Sequence, residues 1–224
     1  MPGKRVRAER LLETALTSLA AALTESGAPW MVIGGIAIIA RGVRRFTTDI
    51  DATVRGDAIQ PERLVKLFAR HAIVPRIDDA IAFAQANLVL LLRHRPTGVD
   101  LDISLAWSTF EHEALAACTL TEFGGVSVPM SSPEDLIVFK AIAGRPKDMD
   151  DVQTLLELYP KLDVARMQRR IAQLAVLAEA PELVPAFEAT LARARTAAPK
   201  SEDAPKSKRP AAARRRKKWV KRRG

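Results

Sequence analysis

Two short acidic tripeptides carry the chemistry that this sequence can do. Asp49-Ile50-Asp51 lies in a short apolar stretch, Ile50 to Val54, that reads as a strand between polar loops. On a strand, residues two apart point to the same face, with about 6.6 Å of rise between them. Ile50 would enter the core while both carboxylates face one way. Like charges held that close repel, and a divalent cation between them is the common reason to keep them. Asp100-Leu101-Asp102 repeats the pattern inside the apolar run Val99, Leu101, Ile103, Leu105. Acids are costly in such a strand, which points to a purpose. Either pair alone is equally well explained by a turn cap or a solvated sheet face. Together they describe metal-assisted chemistry on an oxygen-rich substrate.

The elements that must position these acids can be read around them. Upstream, the strand Trp30 to Ile33 runs into Gly34-Gly35, and Ile36 to Arg41 reads as a short helix starting at those glycines. Glycines let backbone approach a ligand, and N–H groups at a helix start favour anions, so a phosphate could sit there. Tight strand–helix packing is the simpler explanation of the pair. The spacing is neither a Rossmann fingerprint nor a Walker loop. Helical spacing of Leu11, Leu12, Leu16, Leu19 and Leu23 predicts a helix over residues 5 to about 26, and Pro61 to Arg70 predicts another. A short helix is expected from Asp78 or Asp79 to near Asn87. Leu88 to Arg93 and Val99 to Leu105 predict a hairpin through Arg95-Pro96-Thr97-Gly98. Residues 110–117 read as helix, and two strands flank Gly124-Gly125. Ser131-Ser132-Pro133-Glu134-Asp135 is a helix start, with the helix carrying Lys140 and ending near Gly144. Helices at about 148–158, 163–178 and 181–194 follow. The implied class is α/β (α+β): a mixed sheet flanked by helices, with a helical C-terminal portion.

The order Gly34-Gly35, short helix, Arg45-Phe46-Thr47-Thr48-Asp49-Ile50-Asp51, then Asp102, resembles the DNA polymerase β-type nucleotidyltransferase superfamily. More narrowly it is similar to the AbiEii/AbiGii-like abortive-infection toxin branch, in which a Gly-Gly pair precedes Arg-x-Thr-x-Asp-x-Asp. Pro133-Glu134-Asp135-Leu136 through Lys140, then Arg145-Pro146-Lys147-Asp148 and Asp151, also resemble that branch, and the likeness spans about residues 28 to 160. Superfamily members more often carry Gly-Ser where this chain has Gly34-Gly35. The resemblance implies transfer of a nucleoside monophosphate from an NTP to an RNA (tRNA-like) or protein hydroxyl, with release of pyrophosphate. It implies Mg2+ (or Mn2+) on Asp49 and Asp51, and a third carboxylate that completes the metal set and handles the acceptor hydroxyl. Either Asp100 or Asp102 could be that third acid; the spacing to Phe110-Glu111 favours Asp102. Lys140 is the candidate for neutralising triphosphate charge, with Arg45 and Lys147 behind it, and Thr48 could meet a phosphate. Lys140 could equally lie along its helix surface with its stem on Leu136. A toxin role further implies a cognate antitoxin. A catalytically silent nucleotide-binding module with a nucleic-acid tail is the competing reading, and a structural nucleic-acid binder a third.

Composition bounds these expectations. The chain has 224 residues and a formal charge of +9. Residues 197–224 hold 12 basic against two acidic residues, a net of +10, which leaves −1 on residues 1–196. The division expected is a nucleotidyltransferase domain over 1–196 (core about 28–130, helical part about 131–196) and a disordered basic tail over 197–224. The stretch from Arg214 to Arg223, with Trp219 among its cations, could bind RNA; a solvated tail is the plainer reading. The lone Cys118 excludes an internal disulfide framework, fits a reducing compartment and reads as a small buried hydrophobe. His71, His94 and His112 are too scattered for a metal site and read as surface or helix-face residues. No signal peptide or membrane-length apolar run is visible, so a cytoplasmic protein without a membrane partner is expected.

Overall fold

A single twisted sheet organises the protein, as seen in a computed structural model that describes residues 2–197. Seven strands lie in the order β3-β4-β5-β2-β1-β7-β6. They are β1 (Trp30–Ile33), β2 (Asp49–Arg55), β3 (Ile73–Pro75), β4 (Val89–His94), β5 (Asp100–Ala106), β6 (Thr119–Phe123) and β7 (Val126–Met130). The pairings β2–β5 and β1–β7 are parallel and the other four antiparallel, so the sheet is mixed as expected. The expected basic tail lies outside the described residues, apart from Ala197.

Helix α1 (Pro2–Ser26) buries Leu12, Leu16, Leu19 and Leu23 at helical spacing in the main core. Beneath it lie the alternate residues of the central strands: Ile50, Ala52 and Val54 of β2, and Leu101, Ile103 and Leu105 of β5. That leaves Asp49 and Asp51, and Asp100 and Asp102, on the opposite side of each strand. A smaller apolar cluster of Met31, Ala106, Ala114 and Leu115 includes α5 (Thr109–Ala117). That helix starts in a capping box, in which Ser108 and Glu111 satisfy each other's backbone N–H groups.

Helix α3 (Pro61–Arg70) turns Leu64, Leu67 and Phe68 inward, and α4 (Ala80–Asn87) follows it. Helix α6 (Pro133–Ala143) is capped by Ser132 and stops at Gly144, which has a φ of +64°. The helices α7 (Pro146–Leu158), α8 (Val164–Leu177) and α9 (Leu183–Ala197) complete the helical portion. Among the described residues no helix is long and apolar enough to cross a membrane.

Some local details differ from the sequence expectations. The short helix α2 (Gly34–Ala40) includes the two glycines instead of following them. Strand β3 was not visible in the sequence: it has three residues and ends in Pro75, which the sheet tolerates because β3 is an edge. His94 is buried in β4, with its ring bonded to Thr97, because the β4–β5 turn folds back over it. His71 pairs with Glu25 at the end of α3.

Candidate active site

Register puts the acids together. Strand β2 pairs with β5 so that Asp49 lies opposite Asp100 and Asp51 opposite Asp102. On its other side Asp51 faces Ile33, the last residue before Gly34. Neighbouring strands are about 4.8 Å apart, so four acids sit at one end of the two central strands. They feel one another: Asp49 acts electrostatically on Asp51, and both act on Asp102.

Each acid has its own surroundings. Burial pushes the Asp51 carboxyl up, helped by the charge of Asp49, while the Gly35 N–H and the charges of Lys140 and Arg145 pull it down more weakly. Thr47 Oγ1 donates to Asp49 Oδ1 at 2.6 Å. Burial also pushes Asp102 up, against the opposing pull of Arg76. Asp100 is held low, first by the hydrogen bonds from Arg93 and then by Arg76. The two acids of the second tripeptide therefore differ in their partners: Asp100 is held by two guanidinium groups, whereas Asp102 shares one of them.

The glycine pair makes room for this arrangement. Gly34 has a φ of +63°, and a Cβ there would fall 1.9 Å from Asp51 Oδ2; a Cβ on Gly35 would fall 2.3 Å from Thr47 Oγ1. Gly35 N–H is directed at Asp51 Oδ2, 3.4 Å away. Here the glycines serve the carboxylate directly, and Thr47, not Thr48, fills the space beside them. Thr48 is exposed, as is Lys147.

Lys140 neither lies along a helix surface nor projects freely into solvent. It is buried, with Nζ 2.7 Å from Asp148 Oδ1 and 3.2 Å from Asp151 Oδ2. Arg145 also donates to Asp148, and Arg45 to Asp151. Three cations thus share two buried acids, leaving a net positive charge beside Asp51. Burial alone would raise the Asp148 carboxyl, but the bonds from Arg145 and Lys140 bring it below the ordinary range. Arg145 keeps its guanidinium largely exposed and acts on both Asp49 and Asp51.

Arg145 and Asp148 of the Arg-Pro-Lys-Asp segment, and Asp151 just after it, were singled out by the sequence, but only the fold shows what they hold. Arg76 gave no signal: it is in contact with Asp100 and Asp102 from 24 and 26 residues away. Among the described residues, no three His, Cys, Asp or Glu side chains are gathered tightly enough to form a metal cage on their own. Asp49, Asp51 and Asp102 remain the residues that could hold one. They offer only oxygen, which suits Mg2+ or Mn2+ ions that take their other ligands from water and substrate phosphates. The Asp51 carboxyl is raised by its burial first and by the charge of Asp49 second.

Comparison with known proteins agrees with this geometry at the level of family and fold. The antibiotic-resistance factor ANT(2'')-Ia, solved in solution, aligns with a TM-score of 0.51 at 20% identity over 80% of this chain and 96% of that one. A nucleotidyltransferase-like antigenic protein from Paracoccidioides brasiliensis aligns with a TM-score of 0.46 at 18% identity, over 79% of this chain and 92% of its own. No protein of curated function matches the sequence. The family model described as "Nucleotidyltransferase of unknown function (DUF6036)" matches residues 11–188. The toxin branch is not singled out by these matches, but the broader assignment is plain: the chain belongs to that nucleotidyltransferase family.

Proposed function

We propose that this protein transfers a nucleoside monophosphate from an NTP to a hydroxyl acceptor, using Asp49, Asp51 and Asp102. The observation that carries the reading is the parallel register of Asp51 with Asp102, with Ile33, the residue that leads into Gly34 and Gly35, in register with Asp51 on the other side. Asp49 and Asp51 would hold a divalent cation with the triphosphate, and Asp102 a second one. Bound there, such ions stabilise the attacking and leaving oxygens of an in-line displacement.

This chain's own residues supply the rest. Gly34 and Gly35 leave space for Asp51 to stand against the turn. Lys140, fixed by Asp148 and Asp151, would contribute charge through space, and the exposed Arg145 would meet phosphate oxygens directly; their ion pairs beside Asp51 support this reading. The acceptor oxygen forms a bond to the α-phosphorus, and the bond from that phosphorus to the β-phosphate bridging oxygen breaks. Pyrophosphate leaves with the bond electrons, and the hydroxyl proton would pass to Asp102, the carboxylate assigned to the acceptor side.

The acceptor proposed is RNA, tRNA-like in character, with a protein hydroxyl as the alternative. Support comes from the toxin-branch resemblance and from the basic stretch at residues 214–223, whose phosphate contacts would be strongly salt-dependent. A toxin partnered by an antitoxin is the physiological setting proposed. The experiment is incubation of the full chain with each α-labelled NTP, Mg2+ and total RNA or lysate. Nuclease-sensitive label is expected. Protease-sensitive label, or label confined to small molecules, contradicts the RNA acceptor. No label with any NTP contradicts the transfer reaction. Deletion of residues 198–224 is expected to lower RNA affinity at low salt, and unchanged affinity removes the tail from the account.

One observation favours a silent nucleotide-binding module instead: the Arg76 guanidinium already occupies Asp102. The two readings separate on Asp102→Asn, which should spare nucleotide binding and abolish turnover if Asp102 is catalytic.

A further inference from the structure

Arg76 is the only cation paired with Asp102 among the described residues, and it does not hold that acid alone. Nη2 donates to Asp102 Oδ1 at 2.7 Å, and Nη1 to Asp100 Oδ2 at 3.0 Å. The rigid fork of a guanidinium suits two carboxylates on one face of a strand. Asp100 is in turn gripped by Arg93, its register partner on β4, through Nε at 2.6 Å and Nη2 at 3.2 Å. The Arg76 backbone is also tied down, its N–H donating to Leu91 O at 3.1 Å on the same strand. Asp100 therefore fastens Arg76 in place, while Asp102, which has no second cationic partner among the described residues, is what Arg76 covers.

We propose that Arg76 is a positioning residue for Asp102: an internal cation, anchored by Asp100, that holds Oδ1 until a divalent cation takes its place. The proposal rests on the reading of Asp102 as a metal-binding carboxylate. A guanidinium keeps its charge at any physiological pH, so it cannot release Asp102 by losing a proton. It has to be displaced, and Asp100 keeps it beside the site when it is. The tandem Asp-Leu-Asp then has a division of labour, with Asp102 for chemistry and Asp100 as the tether. Asp102 is kept neutralised and correctly turned in the resting chain, at the cost of weaker cation binding.

The test is Mn2+ binding to the full chain with a non-hydrolysable NTP, followed by calorimetry and by the spin-resonance signal of free Mn2+. Arg76→Gln should bind the Asp102-dependent Mn2+ roughly tenfold more tightly than the unmodified chain, because one competing charge is gone. Asp100→Asn, which loosens the tether, should shift affinity the same way by a smaller factor. Arg76→Lys, a point charge without the fork, should fall between. Affinity that is unchanged or weaker in both Arg76→Gln and Asp100→Asn overturns the proposal. If Arg76→Gln does not fold, the Asp100→Asn and Arg76→Lys results decide in the same way. Nucleotide-dependent Mn2+ binding that survives Asp51→Asn would instead overturn the metal-site reading itself, which is a separate failure.

Discussion

Replacing Lys140 with methionine tests the buried charge network. Lys140 is 6% exposed, Asp148 0% and Asp151 6%. Removing one partner from a buried ion pair costs about 3–5 kcal/mol, because it strands the opposite charge. Here each acid keeps one arginine, Arg145 on Asp148 and Arg45 on Asp151. Because both acids keep a partner, the expected cost lies near the lower bound, about 3 kcal/mol, and it falls mainly on Asp148, whose remaining partner Arg145 is 59% exposed. With a urea slope of roughly 2 kcal/mol per molar, the midpoint should fall by about 1.5 M. The double change Lys140→Met with Asp148→Asn neutralises the stranded acid and should recover about half of the loss. Lys140 also lowers the Asp51 carboxyl, so its removal pushes Asp51 up and moves the acidic limb of the activity profile to higher pH. A midpoint shift under about 0.5 M, or a double variant no more stable than the single one, refutes the reasoning.

Other outcomes follow from the same geometry. Gly34→Ala drives a methyl into Asp51 at a positive φ, so it should abolish turnover and cost about 2 kcal/mol by thermal unfolding; a fully active variant contradicts the packing argument. Asp51→Asn removes a carboxyl that folding pushes up. Such a group takes up its proton at higher pH when folded than when unfolded, so its contribution to stability falls as pH rises from the ordinary aspartate range through the raised folded value. The asparagine variant should therefore be more stable than the parent near neutral pH without metal, by about 1 kcal/mol, though inactive. Asp148 has the opposite sign: its folded carboxyl is lowered, so its stabilisation is present above the ordinary aspartate range and is lost as pH falls through the lowered value. Ser108→Ala opens the capping box on α5 and should cost about 1 kcal/mol with turnover intact; lost turnover would tie that cap to the site.

Much of the fold was legible because it is locally encoded. The hairpin through Arg95–Gly98, the capped start of α6 and the amphipathic α3 all carry their signals within a few residues. Strand β3 escaped because three residues show no period and Pro75 argues against a strand. The site divides along the same line. Asp49 with Asp51, and Asp100 with Asp102, announce themselves by alternation, but a sequence cannot show that β2 and β5 align them in register. The distinction between Asp100 and Asp102 depends on Arg76 and Arg93, which come from two other segments. Lys140 was singled out, yet its burial came from Asp148 and Asp151 on the next helix, and helix periodicity says nothing of such a partner. The glycine pair could be read either as tight packing or as a phosphate turn, and its sequence does not show that Asp51 and Thr47 stand against it.

The most direct test of the central claim compares four forms of the full chain: the parent, Asp51→Asn, Asp102→Asn and Asp100→Asn. Pyrophosphate release is followed with Mg2+, the preferred NTP and RNA. The account predicts release from the parent, a loss of at least about a thousandfold for the changes at positions 51 and 102, and a markedly smaller loss at position 100. Turnover that persists without Asp51, or that depends on Asp100 more than on Asp102, would contradict it.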